Sequence, residues 1–449
     1  MVFAKRFLGL AGLLLLIIST TANAGPQIQK WTTSNGTKVL FVQAKELPIV
    51  DVQIVFDAGS IRDGMHKGLA NMTNSLLDEG AGKLDANAIA ARFEDVGAQF
   101  GLDVSREMAT VSLRSLSDKS LLKQATDTVA MLLSKPTFPQ NSLDRIRKNN
   151  LIGLKQEKQN PGRIADKAFY HNLYTGHPYA SDPIGTQQSL TAMTRDEVKA
   201  FFKRYYVANN AVMAIVGDLN RPAAEALAEK LVSGLAKGRR ASPVPNVANL
   251  HKAKNVFIDY KSTQTHVLMG QPGISRKDPD YFPLYVGNYI LGGGGLVSRL
   301  SDEVREKRGL SYSVYSYFYP LERRGPYVMG LQTRSDQTQK ALAVMRDTIR
   351  KFVKEGPTAA ELKAAKQHIS GGFALRIDSN KKTIGYLAVM AFYDLPLDFL
   401  DTYVSKVEAV SLEDIRRAFM KRVHPDEMVS VIVGPPVSQK AQASAEHAG

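Results

Sequence analysis

The sequence predicts an α+β fold made of two similar domains, each a mainly antiparallel sheet packed with helices. Three observations carry that expectation: a duplicated helix–strand unit, alternating strands placed alike in the two halves, and long helices that follow them. In the first half, Thr194 opens the stretch 194–202, which leads to the apolar run 212–217. In the second half, Ser411 opens the stretch 411–419, which leads to 429–434. The offset is 217 residues at both ends, with no gap between. Each copy reads as a capped amphipathic helix and then a buried strand. Thr194 and Ser411 are each followed three residues on by an acid, Glu197 and Asp414, close to a capping box.

The remaining elements follow in order. Residues 51–56 and 265–269 alternate as half-buried strands do. A helical stretch comes after each, ending near Glu79-Gly80 and near Gly292. Short alternating strands follow at 108–116 and 313–319, and long helices at 119–134 and 336–354. The expected domains are therefore 25–236 and 255–437. The linker 237–254 contains Gly238, Pro243 and Pro245 and reads as exposed and irregular. The tail 438–449 is small and polar, with the composition of a disordered segment. A duplication of this kind leaves a cleft between like faces, a common place for a ligand.

Residues 1–24 have the makeup of a cleaved export signal: Lys5 and Arg6, an apolar run from Phe7 to Ile18, and a small-x-small pattern at Ala22-Asn23-Ala24. That run is shorter than the roughly 20 residues a bilayer span needs. The expected location is the periplasm, without stable membrane insertion. No cysteine is present, so disulfides and cysteine catalysis are excluded. The formal charge of +15 is spread among acids instead of gathered in blocks. With export, this speaks for a solvated surface and against nucleic acid. No G-x-S-x-G elbow occurs.

The stretch 68–77 resembles the pitrilysin/insulinase family of zinc peptidases. At this place the family carries His-x-x-Glu-His on a helix. Residues four apart share a helical face, so two histidines can grip one zinc ion and the glutamate between can act as base on its water. A further glutamate, on a later helix, completes the ligand set. Here the first histidine corresponds to Asn71, the base to Asn74, the second histidine to Ser75 and the distant glutamate to Gly153. The resemblance thus implies a pitrilysin-like fold with a degenerate zinc site. No two of the eight histidines lie three to five apart, so no alternative helical pair exists.

The second half keeps what the first has lost. The segment from Leu291 to Val314 is similar to the family's second-domain motif, in which an arginine and a tyrosine seven residues apart reach toward zinc. Arg305 and Tyr312 have that spacing; Arg308 is the nearby competitor. Both side chains can donate hydrogen bonds to an oxyanion. Gly292, Gly293, Gly294 and Gly295 resemble the glycine-rich loop of a processing peptidase's non-catalytic subunit, which implies substrate binding. They do not form a nucleotide loop, since Val297 stands where G-x-G-x-x-G needs its third glycine. The resemblance implies a chain that binds no cofactor itself. Such a chain would serve as the inactive half of a heterodimer, paired with a homologous chain that holds zinc on an intact His-x-x-Glu-His and acting on peptides. Two readings remain beside it: a peptide-binding protein without proteolysis, and a structural subunit.

Overall fold

The computed structural model describes residues 26–436. The expected export signal and the expected disordered tail lie outside these residues. The first half holds β1 (Ile28–Thr32), β2 (Lys38–Gln43), β3 (Ile49–Phe56), the tight hairpin of β4 (Gly80–Ala81) and β5 (Leu84–Asp85), β6 (Gln99–Val104), β7 (Ala109–Leu116) and β8 (Ala211–Gly217). The second half holds β9 (Lys254–Asp259), β10 (Gln264–Pro272), β11 (Ser313–Phe318), β12 (Pro326–Arg334) and β13 (Val429–Gly434). The first sheet runs β1-β2-β8-β3-β7-β6 and the second β9-β13-β10-β12-β11. Apart from β1, the two orders match strand for strand. In each, the first matched pair is parallel and the rest antiparallel. Both predicted capping boxes are formed, at Thr194–Glu197 and Ser411–Asp414.

Alternation in β7 follows the expected half-burial, with Ala109, Val111, Leu113 and Ser115 turned inward. By contrast, β8 and β13 are buried along their whole length. Their continuous apolar runs are those of strands covered on both faces. What covers the second face is an exchange of helices. The first-half helix Pro161–Leu173 lies on β13 and β10 of the second sheet, and the second-half helix Asn380–Tyr393 lies on β8, β3 and β2 of the first. Phe169, Tyr170 and Leu173 pack with Val328, Val431 and Val433. In the reciprocal core, Ile384, Leu387 and Ala391 pack with Leu40, Val212 and Val216. Neither half therefore encloses its core alone.

The segment after Lys237 is irregular up to β9, as its composition implies, but it is not simply exposed. Val244 is buried. Arg204 donates to the carbonyls of Arg239 and Arg240, Arg323 to that of Val244, and Arg324 to that of Val247. This connection is exposed along most of its length and irregular, as read from the sequence, and is also tied to both halves at these points. Polar residues make a tied connection as readily as a free one; the distinction lies in arginines far along the chain. Among the described residues no helix is long and apolar enough to cross a membrane.

Candidate functional site

The helix Leu69–Ser75 carries three of the four positions at which the resemblance implies lost zinc chemistry, Asn71, Asn74 and Ser75. Its entry is held by backbone chemistry. Gly68 adopts a left-handed conformation (φ 89°), and a Cβ there would stand 2.6 Å from the carbonyl oxygen of Ile184, so only glycine fits. The Asp63 carboxylate accepts from the backbone N–H of Gly68 at 2.7 Å and of Ala70 at 2.8 Å, capping the helix from five residues upstream of Gly68. Burial pushes its pKa up to about 7, against the opposing pull of those two donors. The fourth position, Gly153, lies on Gln140–Glu157, which packs against Leu69–Ser75. The scaffold that would present zinc ligands is thus intact.

The donor set does not fit a zinc ion. Asn71 and Ser75 replace imidazoles with an amide and a hydroxyl, and Gly153 has no side chain. A Cβ at Gly153 would meet only Ile184 Cδ1, at 3.8 Å, so its bareness is not forced by crowding. Asn74, at the position of the base, is fully committed to structure. It is buried, donates to the Asp103 carbonyl at 3.1 Å and accepts from the Tyr206 hydroxyl at 2.9 Å. Among the described residues, no three His, Asp or Glu side chains converge as a metal site would need. His177 accepts from the Tyr179 N–H and contacts the Pro245 carbonyl, a structural role.

Arg305 and Tyr312 occupy the segment leading into β11. Tyr312 is 89% exposed. Among the described residues Arg305 has only its sequence neighbour Glu306 as an ionic partner, at 3.3 Å. Arg308 is bound to Glu303 through both its carboxylate, at 2.6 Å, and its carbonyl, at 2.8 Å. That commitment leaves Arg305 as the available cation. Among the described residues neither Arg305 nor Tyr312 is hydrogen-bonded to the helix Leu69–Ser75. The four glycines divide by cause. A Cβ on Gly292 would stand 2.3 Å from Ser316 Oγ, and one on Gly294 2.8 Å from the Tyr289 carbonyl oxygen, so close packing demands them. Gly293 approaches Asn288 in the same way, whereas Gly295 is left-handed (φ 64°) and faces open space. The exposed Leu296 and Val297 follow directly.

A family model described as Insulinase (Peptidase family M16) matches residues 38–187, and one described as Peptidase M16 inactive domain matches 192–369. The crystal structure of the peptidase M16 inactive domain from Pseudomonas fluorescens is 42% identical, covers 92% of this chain and 99% of that one, and superposes with a TM-score of 0.89. The chain belongs to the M16 peptidase family. Among M16 relatives, the non-peptidase homolog YmxG of Helicobacter pylori is 26% identical over 401 residues, 88% of this chain and 91% of that one. The mitochondrial-processing peptidase subunit beta of Lentinula edodes is 23% identical over 426 residues, 90% of this chain and 89% of that one. A protease structure from Helicobacter pylori, 20% identical with a TM-score of 0.83 over 91% of this chain and 100% of that one, shares the fold.

Asp63 was not legible as a site residue, because its two amide partners are set by the left-handed turn at Gly68. Its raised pKa gives a testable pH dependence. The folded state holds the proton more tightly than the unfolded chain, so Asp63's contribution to stability is greatest below the ordinary carboxylate value and falls as pH rises toward about 7. The loss should approach ~1.4 kcal/mol per pH unit at its steepest. Urea unfolding at pH 4.5, 5.5 and 6.5 should show this slope in the native protein and a shallower one in Asp63→Asn. Equal slopes would remove Asp63 as its source.

Proposed function

We propose that this M16 homologue is the non-catalytic subunit of a heterodimeric zinc metallopeptidase in the periplasm. It contributes substrate binding, through the Gly292–Gly295 turn, and Arg305 and Tyr312 to the zinc site of a homologous partner that carries His-x-x-Glu-His. The observation that carries this reading is the contrast between the halves. The zinc-site helix is retained while the ligand positions carry other residues and Asn74 is turned to a structural task; Tyr312 is exposed, and half-buried Arg305 has among the described residues only Glu306 as an ionic partner. A guanidinium and a phenol held at the partner's cleft can donate hydrogen bonds to the oxyanion that forms when water attacks a peptide carbonyl. The pairing implied by the family, and the Lentinula relative's being named as a subunit, support a two-chain assembly.

The test is reconstitution with the same-length homologue bearing His-x-x-Glu-His from the native host. Arg305→Ala should lower kcat of the pair by about 10²–10³-fold, the usual effect of removing an oxyanion donor. Tyr312→Phe should lower kcat in the same direction, and neither variant should alter the partner's zinc content. Unchanged turnover in both variants would end this reading. Purification of the chain alone, without zinc or a homologue but with bound peptide, would replace it with the non-proteolytic peptide-binding reading.

A further inference from the structure

The two sheets differ at one edge. In the first, β2 is covered by β1, which runs antiparallel along it from Ile28↔Val42 to Thr32↔Lys38. The equivalent strand of the second sheet, β9, ends its sheet with no such cover among the described residues. The equivalence is residue by residue. Ile215 pairs with Phe41 and Ile432 with Phe257, and the two isoleucines stand at the 217-residue offset of the duplication. Phe41 is fully buried and meets Trp31 of β1 edge-on, with ring centroids 6.2 Å apart. Phe257 is 63% exposed.

The backbone of β9 is open as well. The N–H groups of Lys254 and Tyr260 donate to Met428 and Gly434 on the β13 side. Alternation along a strand then turns the amides of Asn255, Phe257 and Asp259 outward, and none of the three has a partner among the described residues. Beside this edge lies a cavity of about 980 Å³ with an apolar floor that includes Leu154, Ile164, Val256 and Ile258. Its acids, Glu157 and Asp182, are taken up by Arg163 and Lys167. Lys67, Lys155 and Lys158 line the same cavity with no carboxylate partner among the described residues. Lys254 projects from the same face of β9 as Val256 and Ile258, since side chains two apart share a face.

We propose that the open edge of β9 is a docking edge for an extended peptide segment of a partner, added antiparallel as β1 is added to β2. The segment carries apolar side chains at alternate positions, directed into the cavity, with acidic residues flanking them on the same face. Main-chain bonds to residues 255, 257 and 259 supply affinity, and the cavity supplies selectivity. The charge match is with Lys67, Lys155, Lys158 and Lys254. Because β9 lies at the opposite end of the sheet from β11, this edge is separate from the Arg305–Tyr312 segment and does not depend on the peptidase reading.

The probe is a blocked seven-residue peptide with glutamate at its first and seventh positions, valine at the third and fifth, and serine between. Fluorescence anisotropy with the full chain should detect binding. Replacing both glutamates by lysine, or Phe257 by Glu, should weaken it at least tenfold. Two N-methylated versions, one on the valine amides and one on the serine amides, should behave unequally, because only alternate amides face the edge. Hydrogen exchange at Asn255, Phe257 and Asp259 should be fast in the free chain and slow with peptide. Absence of binding would overturn the proposal, as would equal effects of the two methylations. So would protection of those amides without peptide: the edge would then belong to a second copy if Phe257→Glu lowers the molecular mass in solution, and to another segment of this chain if it does not.

Discussion

Replacing Glu107 by alanine should lower the free energy of unfolding by about 3–5 kcal/mol, the order expected when several buried hydrogen-bonding groups lose their partner at once. Its carboxylate is buried where the two halves meet. It accepts from the Tyr179 hydroxyl in the first half, from the Tyr393 hydroxyl at 2.6 Å in the second, and from the Glu322 N–H at 3.0 Å. Tyr179 in turn accepts from the Arg323 N–H at 3.0 Å. Burial raises the carboxyl pKa although the tyrosine donors oppose it. Alanine would strand two hydroxyls and an amide in the interior, and each unsatisfied group costs about 1–3 kcal/mol. Glu107→Gln keeps one acceptor oxygen and should lose less. Urea unfolding followed by circular dichroism measures both. A loss below 1 kcal/mol in the alanine variant would mean that water or neighbouring groups satisfy the site.

Phe169→Ala should cost about 3–5 kcal/mol, as deletion of a fully buried aromatic ring does. The ring belongs to a first-half helix yet packs against Val431 and Val433 of the second sheet. That sheet is shaped to receive it, since a Cβ on Gly270 would stand 2.9 Å from Phe169 Cζ. Because the helix exchange makes each core depend on both halves, unfolding should remain one transition. Trp31, the only tryptophan, sits on β1 of the first half and reports on that half by fluorescence. Its unfolding curve should shift together with the circular-dichroism curve. Separation of the two would show that the halves unfold independently and that the exchanged helices contribute little coupling.

Much of the molecule follows from short-range chemistry. The helices Arg195–Tyr205 and Leu412–Arg422, with their caps, are written in the spacing of Thr194 to Glu197 and Ser411 to Asp414. The helix Lys119–Ser134 and the strand β7 have bounds matching the sequence periodicity within a residue. The duplication was visible because one offset covers both helix and strand. The expected loss of zinc ligands could be read because the motif spans only five residues, all falling on the one helix Leu69–Ser75, with Gly153 on Gln140–Glu157. The strands β1, β2 and β9 carry weaker local patterns, and their pairing with distant partners defines them.

What the sequence by itself determined is a repeated α+β unit, together with the residues that stand at the expected zinc-ligand positions and the seven-residue spacing of Arg305 and Tyr312. Only the tertiary structure decided that each half lends a helix to the other's sheet, that Asn74 serves Tyr206 132 residues away, and that Glu107 ties itself to Tyr393 286 residues away. It also separated Arg308, bound to Glu303, from Arg305, and showed one sheet edge covered and its counterpart open. The physical reason is range. Capping, periodicity and helical spacing act within one or two turns, whereas burial and the pairing of buried polar groups are properties of whichever segments the chain brings together.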